Sequence, residues 1–377
     1  MSQLLLHPDL SDIAVKVERG ERLAFEDGVR LFRSSDIAGI GWLANQVRER
    51  LNGNRAYYIV NRHINYSNVC KNRCKFCAFS RDLGEPGAYT MHLAEVLKKA
   101  EEGVRQGATE LHIVGGLHPE LGLDYYLTML SELSQRWPKV HLQAFTAVEV
   151  AHFADKAGLT VRETLRRLKD AGLGSLPGGG AEVFSTEVRA QLCPEKLSPE
   201  GWLGVMREAH QLGLRSNATM LYGHVETVED RVRHILRLRE LQDETRGFMT
   251  FIPLAFHPKH TDLEHERGPT AMDDLKTLAI GRLMLDNFPH VKAFWIMLGV
   301  KLAQVSLSFG VDDIDGTVVE ERITHAAGAE TPQCLSVGEL LHLIREAGRE
   351  PVERNTLYQR IHRPSGHIDA NWALTDG

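Results

Sequence analysis

The chain has 377 residues, of which 43% are hydrophobic and 25% are charged, a balance that is typical of globular proteins and excludes disordered and collagen-like chains. No apolar run reaches the ~18 residues of a membrane-spanning helix, so we expect no membrane partner. The formal net charge of −6 is built from mixed signs, which argues against a nucleic-acid-binding surface.

Predicted elements alternate along most of the chain. Residues 1–54 are predicted to form an N-terminal helical segment, because apolar residues recur at helical spacing in 36–51. From residue 57 onward, strand-like runs alternate with helical runs that end at Gly107, Gly172 and Gly213. The predicted strands are 57–67, 109–116, 140–148, 173–179, 215–223, 248–256, 291–298 and 314–319.

This alternation indicates a parallel sheet, since parallel strands need a crossover connection. Eight such units over about 270 residues match the size of a closed barrel. We therefore predict an α/β fold, a (β/α)8 barrel of the TIM type over 55–322, followed by a C-terminal helical extension over 323–377. An open doubly wound sheet is the alternative.

The cysteines are unevenly distributed along the chain. They are Cys70, Cys74, Cys77, Cys193 and Cys334. Three of them lie within eight residues, directly after the first predicted strand, whereas a disulfide framework would spread an even number through a short chain. This crowding favours a metal site in a reducing compartment. The N-terminus also lacks a secretory signal, so we expect a cytoplasmic protein.

The Cys-x3-Cys-x2-Cys spacing supplies three thiolates from one loop. Three ligands leave one iron of a [4Fe–4S] cluster without a protein ligand. S-adenosylmethionine chelates such an iron with its amino and carboxylate groups, which leads to radical chemistry. A structural zinc site with Cys193, Cys334 or a histidine as the fourth ligand is an alternative, although a second cysteine knuckle is missing. A buried helix face is a further alternative, which the neighbouring Lys71 and Arg73 disfavour.

Candidate cofactor-binding residues follow several predicted strands, at the end of the barrel where functional residues gather. Gly115 and Gly116 follow the second strand, either as turn formers or to let the backbone approach a bound methionine group. Glu182 follows the fourth strand and could accept from both ribose hydroxyls. Its alternative role is a carboxylate in the first turn of a helix.

The remaining candidates carry weaker signals. Phe76 lies between the second and third cysteines, where it could pack on adenine or shield the cluster. Arg189 could meet a carboxylate, and Glu226 comes at the end of the fifth strand. Three histidines that lie on a predicted strand or close after one are also candidates: His63, His118 and His257.

The cysteine loop, with an aromatic residue before its last cysteine, and the Gly115-Gly116 pair resemble the radical S-adenosylmethionine superfamily. Within it, residues 55–360 resemble the aminofutalosine synthases of the futalosine route to menaquinone. The similar stretches are HINYSNVCKNRCKFCAFSR, GGLHPE, SLPGGGAEVFS, TMLYGHVET, FIPLAFHP, KAFWIMLG and DDIDGTVVEERITHAAGA. Two sister families are alternatives, the dehypoxanthine futalosine cyclase and the tyrosine-using subunit of F420-precursor synthase. A zinc-stabilised protein without catalysis is the alternative from a different class.

The resemblance implies a specific reaction. S-adenosylmethionine is consumed as a co-substrate, and its 5′-deoxyadenosyl radical adds to the vinyl group of 3-[(1-carboxyvinyl)oxy]benzoate. Rearrangement and loss of a carboxylate give aminodeoxyfutalosine. A one-electron reductant such as flavodoxin or ferredoxin is the expected partner. Because the substrate carries two carboxylates, His63, His118 and His257 are the candidates to bind them.

Overall fold

The computed structural model describes residues 7–363. The strands are β1 (Arg55–Ile59), β2 (Asn61–Ile64), β3 (Glu110–Ile113), β4 (His141–Ala144), β5 (Ser175–Leu176), β6 (Arg215–Tyr222), β7 (Phe248–Ala255), β8 (His290–Val291), β9 (Asp313–Gly316) and β10 (Glu350–Glu353). The helices are α1 (Ser11–Arg19), α2 (Phe25–Arg33), α3 (Ile37–Asn52), α4 (Leu93–Arg105), α5 (Leu123–Arg136), α6 (Ala147–Ala157), α7 (Val161–Asp170), α8 (Thr186–Leu192), α9 (Pro199–Gln211), α10 (Val228–Thr245), α11 (Ala271–Met284), α12 (Trp295–Leu298), α13 (Val300–Ser306), α14 (Ile323–Ala326) and α15 (Val337–Glu346). Among residues 7–363, no helix has the length and apolar character that crossing a membrane requires.

Strands β2 to β8 form one parallel sheet in which each strand pairs with the next along the chain. Residues 313–319 close this sheet into a barrel. On one side, Lys292 bridges to Asp313, and on the other, Arg62 bridges to Val319. The N–H of His63 also donates to the Val319 carbonyl over 3.1 Å. The predicted α/β barrel of the TIM type is therefore confirmed.

Two strands differ from their predicted extents. The first predicted strand, 57–67, is divided into β1 and β2, because β1 leaves the barrel sheet to pair with β10 and β9. The predicted strand 291–298 is too long, since Trp295–Leu298 forms α12. A short apolar run does not separate strand from helix, and here the Trp295 indole N–H donates to the Gly316 carbonyl over 2.8 Å.

The N-terminal helices lie on the outside of the barrel. Helix α2 packs against α10, and α3 packs against α11. Two glycines permit further close approaches: a Cβ on Gly28 of α2 would lie 2.5 Å from the sulfur of Met284, the last residue of α11, and one on Gly41 of α3 would lie 2.4 Å from the ring of Phe309, which follows α13. The main core fills the space between the strands and the surrounding helices.

The residues after 322 contain helices and also strand β10, which pairs in parallel with β1. The loop after β10 closes the end of the barrel at which the strands begin. There the Tyr358 ring stacks on His290 at 3.6 Å between centroids, and it meets Tyr57 edge-on at 5.8 Å. Arg354 Nε donates to Asp313 Oδ2 over 2.5 Å. The opposite end, where the strands finish, is left for the site.

Candidate active site

A cavity of about 320 Å³ lies inside the barrel toward the ends of the strands. We call its loop side the upper end, which includes Cys70, Cys74, Phe76, Cys77, Gly115, Gly116, Glu182, Lys196 and His257. We call its strand side the deep end, which includes His63, Glu110, His112, Gln143, Asn217, Lys292 and Asp315. The lining residues all come after residue 62, so the N-terminal helices take no part in the cavity.

The cysteine loop directly follows the barrel strand β2 and is attached to three separate segments. The N–H of Cys70 donates to the Arg81 carbonyl over 3.0 Å, and the N–H of Lys71 donates to Leu117 over 3.0 Å. The N–H of Lys75 donates to the Leu192 carbonyl over 2.8 Å. All five cysteines of the chain are free thiols, and those of the loop are half-buried. The loop therefore presents its three thiols to one cavity.

This donor set fits a [4Fe–4S] cluster. Burial raises the pKa of Cys70, while the nearby charge of Lys196 opposes that rise. The pKa of Cys74 is raised by its contact with Cys193 and by burial, again against Lys196. Lys196 thus favours the thiolates that iron requires. In the described part of the chain, no three ligating side chains meet around one ion, and a cubane gives each thiolate its own iron.

Gly115 and Gly116 form a strap that lies against the beginning of the cysteine loop. The N–H of Gly116 donates to the Ser67 carbonyl over 2.8 Å. A Cβ on Gly116 would lie 2.2 Å from the Val69 carbonyl oxygen, and one on Gly115 would lie 2.7 Å from the Tyr66 ring. Only glycine permits this approach. Both glycines line the cavity as predicted, and the structure adds this packing requirement.

Glu149 fixes the strap to the beginning of α6. One carboxylate oxygen accepts from the Tyr66 hydroxyl over 2.8 Å and from the Gly115 N–H over 3.1 Å. The other accepts from the N–H and the hydroxyl of Thr146, each over 2.7 Å. Burial raises the pKa of Glu149 to about 7, and these four donors oppose the rise. Sequence reasoning missed this residue, although the Thr146-x-x-Glu149 spacing is a capping-box signal.

Glu182 lies in the cavity and is paired with Lys196. The ammonium of Lys196 donates to Glu182 Oε1 over 2.6 Å and lies 5.2 Å from the centre of the Phe76 ring. Glu182 precedes α8, which begins at Thr186, so it is not a first-turn carboxylate. Lys196 was not predicted, because in sequence it is one basic residue of an ordinary loop.

Two of the predicted residues lie outside the cavity lining. His118 Nδ1 accepts from the N–H groups of Glu120 and Leu121 over 3.1 and 3.2 Å. Arg189 donates to the Ala181 carbonyl over 2.8 Å and also bonds the carbonyl of Leu197. Each side chain stabilises the backbone of a loop near the cavity, so these positions lend no support to the predicted ligand roles, which stay predictions.

Glu226 is also outside the cavity lining, and its predicted role in cofactor binding likewise stays a prediction. Its carboxylate accepts from the N–H groups of Gly223 and His224 over 2.6 and 2.9 Å, and from Arg231 Nε over 2.7 Å. Burial alone would raise the pKa of Glu226, but His224 and Arg231 lower it to about 2. The residue organises the turn after β6, and its position at a strand end in the sequence did not reveal this role.

The deep end contains a stack of aromatic rings. The imidazoles of His63 and His112 are 4.3 Å apart between centroids, and the Phe294 ring lies 6.4 Å from His63 on a nearly parallel plane. Burial lowers the pKa of His63 well below its usual value, and the charges of His112 and Lys292 add to this effect. His63 is therefore a neutral imidazole that faces the cavity, and its predicted role in binding a substrate carboxylate stays a prediction.

Acidic groups accompany these histidines. Burial opposes ionisation of Glu110, but the charges of Lys292, His112 and Arg354 outweigh it and leave the pKa of Glu110 below its usual value.

His257, at the upper end, shares a hydrogen bond of 2.9 Å between its Nε2 and the Met297 carbonyl. Since a carbonyl only accepts, Nε2 carries the proton and Nδ1 of the neutral ring is an acceptor.

Comparison with known families supports the same interpretation. Residues 64–238 match the family model described as the radical SAM superfamily. Residues 245–367 match the model described as the CofH/MqnC C-terminal region. Enzymes of this superfamily use a [4Fe–4S] cluster and S-adenosylmethionine, and the three thiols of the upper end suit that cluster.

Full-length relatives define the family more narrowly. The chain is 49% identical to an aminodeoxyfutalosine synthase of Thermus thermophilus over 94% of its own length and 96% of that protein. It is 47% identical to the Streptomyces coelicolor protein of the same name, over 94% of this chain and 95% of that one. The chain belongs to the aminodeoxyfutalosine synthase family. It is a radical S-adenosylmethionine enzyme, which removes the non-catalytic zinc alternative.

Relatives with other names are less similar. A tyrosine 4-hydroxyphenyl transferase of Methanopyrus kandleri is 42% identical over 84% of this chain and 88% of that protein. A cyclic dehypoxanthine futalosine synthase of Halalkalibacterium halodurans is 36% identical over 93% and 95%. Among solved structures, the hydrogenase maturase HydG of Carboxydothermus hydrogenoformans gives a TM-score of 0.73 at 19% identity, covering 93% of this chain and 80% of that one. That likeness concerns the fold alone.

Proposed function

We propose that this enzyme joins the 5′-deoxyadenosyl group of S-adenosylmethionine to 3-[(1-carboxyvinyl)oxy]benzoate and forms aminodeoxyfutalosine for menaquinone biosynthesis. The observation that carries the proposal is the identity of nearly half of the residues to two aminodeoxyfutalosine synthases over almost the whole chain. The sister enzymes share the scaffold at lower identity, and no contact in the cavity favours either of them.

The upper end suits S-adenosylmethionine. When bound, the cluster supplies the electron that cleaves S-adenosylmethionine into methionine and a 5′-deoxyadenosyl radical. The Gly115-Gly116 strap offers backbone groups to the methionine part, and Glu182 offers carboxylate oxygens to the ribose hydroxyls. Lys196 holds Glu182 by their ion pair of 2.6 Å. Phe76 presents an apolar ring on which adenine can pack.

The deep end suits the aromatic co-substrate. Addition of a carbon radical to an alkene needs neither an acid nor a base, so the enzyme must hold two molecules in register and exclude water. The closed barrel wall around the cavity holds the two molecules and excludes water. Of the three predicted histidines, only His63 lines the cavity, is buried as a residue and makes no side-chain hydrogen bond to residues 7–363.

The electron donor and the compartment belong to the same proposal. A one-electron carrier such as flavodoxin or ferredoxin would reduce the cluster. Lys71 and Lys75, which are exposed on the cysteine loop, suit an acidic carrier. A reducing cytoplasm would keep the thiols of the upper end free.

The test follows the carbon atoms of S-adenosylmethionine. The purified holoenzyme is turned over anaerobically with the enol ether and with S-adenosylmethionine labelled with carbon-13 in the ribose. We expect the label in a product that also contains the benzoate ring, in step with released methionine. Stoichiometric free 5′-deoxyadenosine with an unlabelled aromatic product would reject the synthase function and indicate hydrogen abstraction, as expected for the sister enzymes.

A further inference from the structure

Lys292 lies in the deep end with most of its hydrogen-bonding capacity unused. Lys292 is the residue directly after β8, and it is only 6% exposed. An ammonium group has three N–H donors. Within residues 7–363, Nζ has one hydrogen-bond partner, Asp315 Oδ1, at a long distance of 3.4 Å. The charge of Lys292 also acts on Glu110, whose pKa it lowers, but Asp315 takes only one of its three N–H donors. Buried donors require acceptors, and a carboxylate in the cavity would supply them.

Asp315 is held in an unusual backbone conformation beside this lysine. Its φ of +64° lies in the left-handed region, where a residue with a Cβ is disfavoured. Its N–H donates to Asp313 Oδ1 over 2.7 Å, which stabilises this conformation. The next residue is a glycine, because a Cβ on Gly316 would lie 2.1 Å from the Ile59 carbonyl oxygen. Strain that persists at a cavity wall indicates a role for the side chain it orients.

The position of Lys292 along the barrel axis decides which part of the substrate it can reach. The Lys292 N–H donates to the Phe251 carbonyl in the middle of β7. The cysteine loop lies beyond the end of that strand, where the Asp262 N–H donates to the Lys75 carbonyl over 2.9 Å. The reacting vinyl group must lie near the cofactor at the upper end, so the ring substituent is the part that points toward Lys292.

We infer that Lys292, oriented by Asp315, binds the carboxylate on the benzoate ring and makes the enzyme selective for substrates with that group. The inference rests on the proposed function and names the residue that recognises one end of the substrate. A carboxylate there takes the free N–H donors of Lys292. The neighbouring His63 presents an uncharged ring nitrogen to the same space, so it adds no like charge that competes with Lys292.

The test compares the substrate with 2-phenoxyacrylate, which lacks the ring carboxylate. We expect the unchanged enzyme to prefer the full substrate by roughly 10–100-fold in kcat/KM, the scale of a charged hydrogen bond. Lys292→Met should reduce that preference to about 3-fold or less, because kcat/KM falls further for the full substrate than for 2-phenoxyacrylate. Lys292→Arg should restore part of the preference. Lys259→Met is the matched control, because Lys259 is exposed and paired with Glu330.

Asp315 is a positioning residue, and its variant should have a different signature. Asp315→Asn should raise KM for the full substrate several-fold more than it raises KM for 2-phenoxyacrylate, with little change in kcat. Iron content and the circular dichroism spectrum of each variant show whether it has folded. If Lys292→Met does not fold, Lys292→Gln and Lys292→Arg give the same comparison.

The outcomes separate this inference from the proposed function. If Lys292→Met keeps the preference for the ring carboxylate, or loses only the preference for the vinyl carboxylate measured with 3-(vinyloxy)benzoate, the inference is wrong and the function stands. If the unchanged enzyme forms no adduct, the function fails. The inference is then decided by equilibrium binding of 3-methoxybenzoate to the holoenzyme, which Lys292→Met should weaken by the same factor.

Discussion

The two ends of the cavity are built in different ways. The upper end consists of one continuous loop of cysteines, a glycine strap and a carboxylate, and backbone hydrogen bonds fix most of it. The deep end consists of single side chains from β2, β3, β4, β6 and β9 and from the residue after β8. A contiguous motif leaves a readable signal in a sequence, whereas side chains contributed one or two at a time by separate strands do not. The cofactor chemistry that the superfamily shares is therefore assigned to the upper end, which the sequence reveals, and the proposed substrate selectivity is assigned to the deep end.

The strap shows that a motif residue can have two reasons for its identity. Gly116 lies where a bound methionine group would be, yet the Val69 carbonyl alone already excludes a side chain there. Glu149 then holds the strap from the opposite side through the Gly115 N–H. Loss of the motif would consequently disturb the cysteine loop as well as the cofactor.

The largest expected effect concerns the thiols of the upper end. Changing Cys70, Cys74 or Cys77 to Ala should abolish cluster assembly and all activity, because each removes one of only three protein ligands. Iron and sulfide analysis after anaerobic reconstitution measures this. Cys193→Ala and Cys334→Ala are the controls and should retain iron. Loss of iron in Cys193→Ala together with its retention in Cys70→Ala would contradict the ligand assignment.

The next effect tests the packing of the strap. Gly116→Ala should cost about 3 kcal/mol of stability, since its Cβ would overlap a backbone carbonyl that cannot move freely. Reduced iron content should accompany this loss, as the cysteine loop shifts. Thermal unfolding and iron analysis measure both. Gly122→Ala is the matched control, because a Cβ there meets no atom within 4 Å. Equal behaviour of the two variants would show that the strap is not tightly packed.

A smaller effect is expected for cofactor affinity. Glu182→Gln should weaken binding of S-adenosylmethionine by about 1–3 kcal/mol, because a charged acceptor and its ion pair with Lys196 are lost. The change in the electron paramagnetic resonance spectrum of the reduced cluster on titration with S-adenosylmethionine measures it. The spectrum without cofactor should stay the same. Glu187→Gln, on the exposed face of α8, is the control, and unaltered affinity in Glu182→Gln would remove the ribose assignment.

The smallest effect belongs to the deep end and depends on pH. Burial lowers the pKa of His63, so the residue should stay neutral from pH 6.5 to 8, with a constant carbon-13 shift at its Cε1. Below about pH 6.5 the unfolded chain takes up the proton first, so the stability from neutral His63 is present above this pH and is lost as pH falls.

His63→Asn should make the free energy of unfolding less dependent on pH in this acidic range, while the iron content stays unchanged. A His63 signal that titrates together with free histidine added to the same sample would contradict the burial of this imidazole. Such a result would also weaken the contrast between a water-excluding deep end and a loop-built upper end.

Much of the fold was predictable, for reasons that particular elements show. Alternating strand and helix signals indicated the parallel barrel, because the barrel strands are buried and several helices begin with a side-chain cap, such as Thr160 before α7. The break between β1 and β2 was not predictable, since it depends on pairing of β1 with β10 almost 300 residues later. Within the site, the cysteines, both glycines, Phe76, Glu182, His63 and His257 line the cavity as expected.

By itself, the sequence determined the barrel, the iron–sulfur loop and the glycine strap, because each is encoded by neighbouring residues or a local period. Only the tertiary structure decided which charges meet. Lys196 with Glu182, Glu149 with Gly115, and Lys292 with Asp315 are pairs that join loops or strands separated in the chain. Each pairing affects stability because an unpartnered charge buried inside the barrel would cost free energy. Burial cannot be read from residue identity alone, so the sequence did not reveal these pairs.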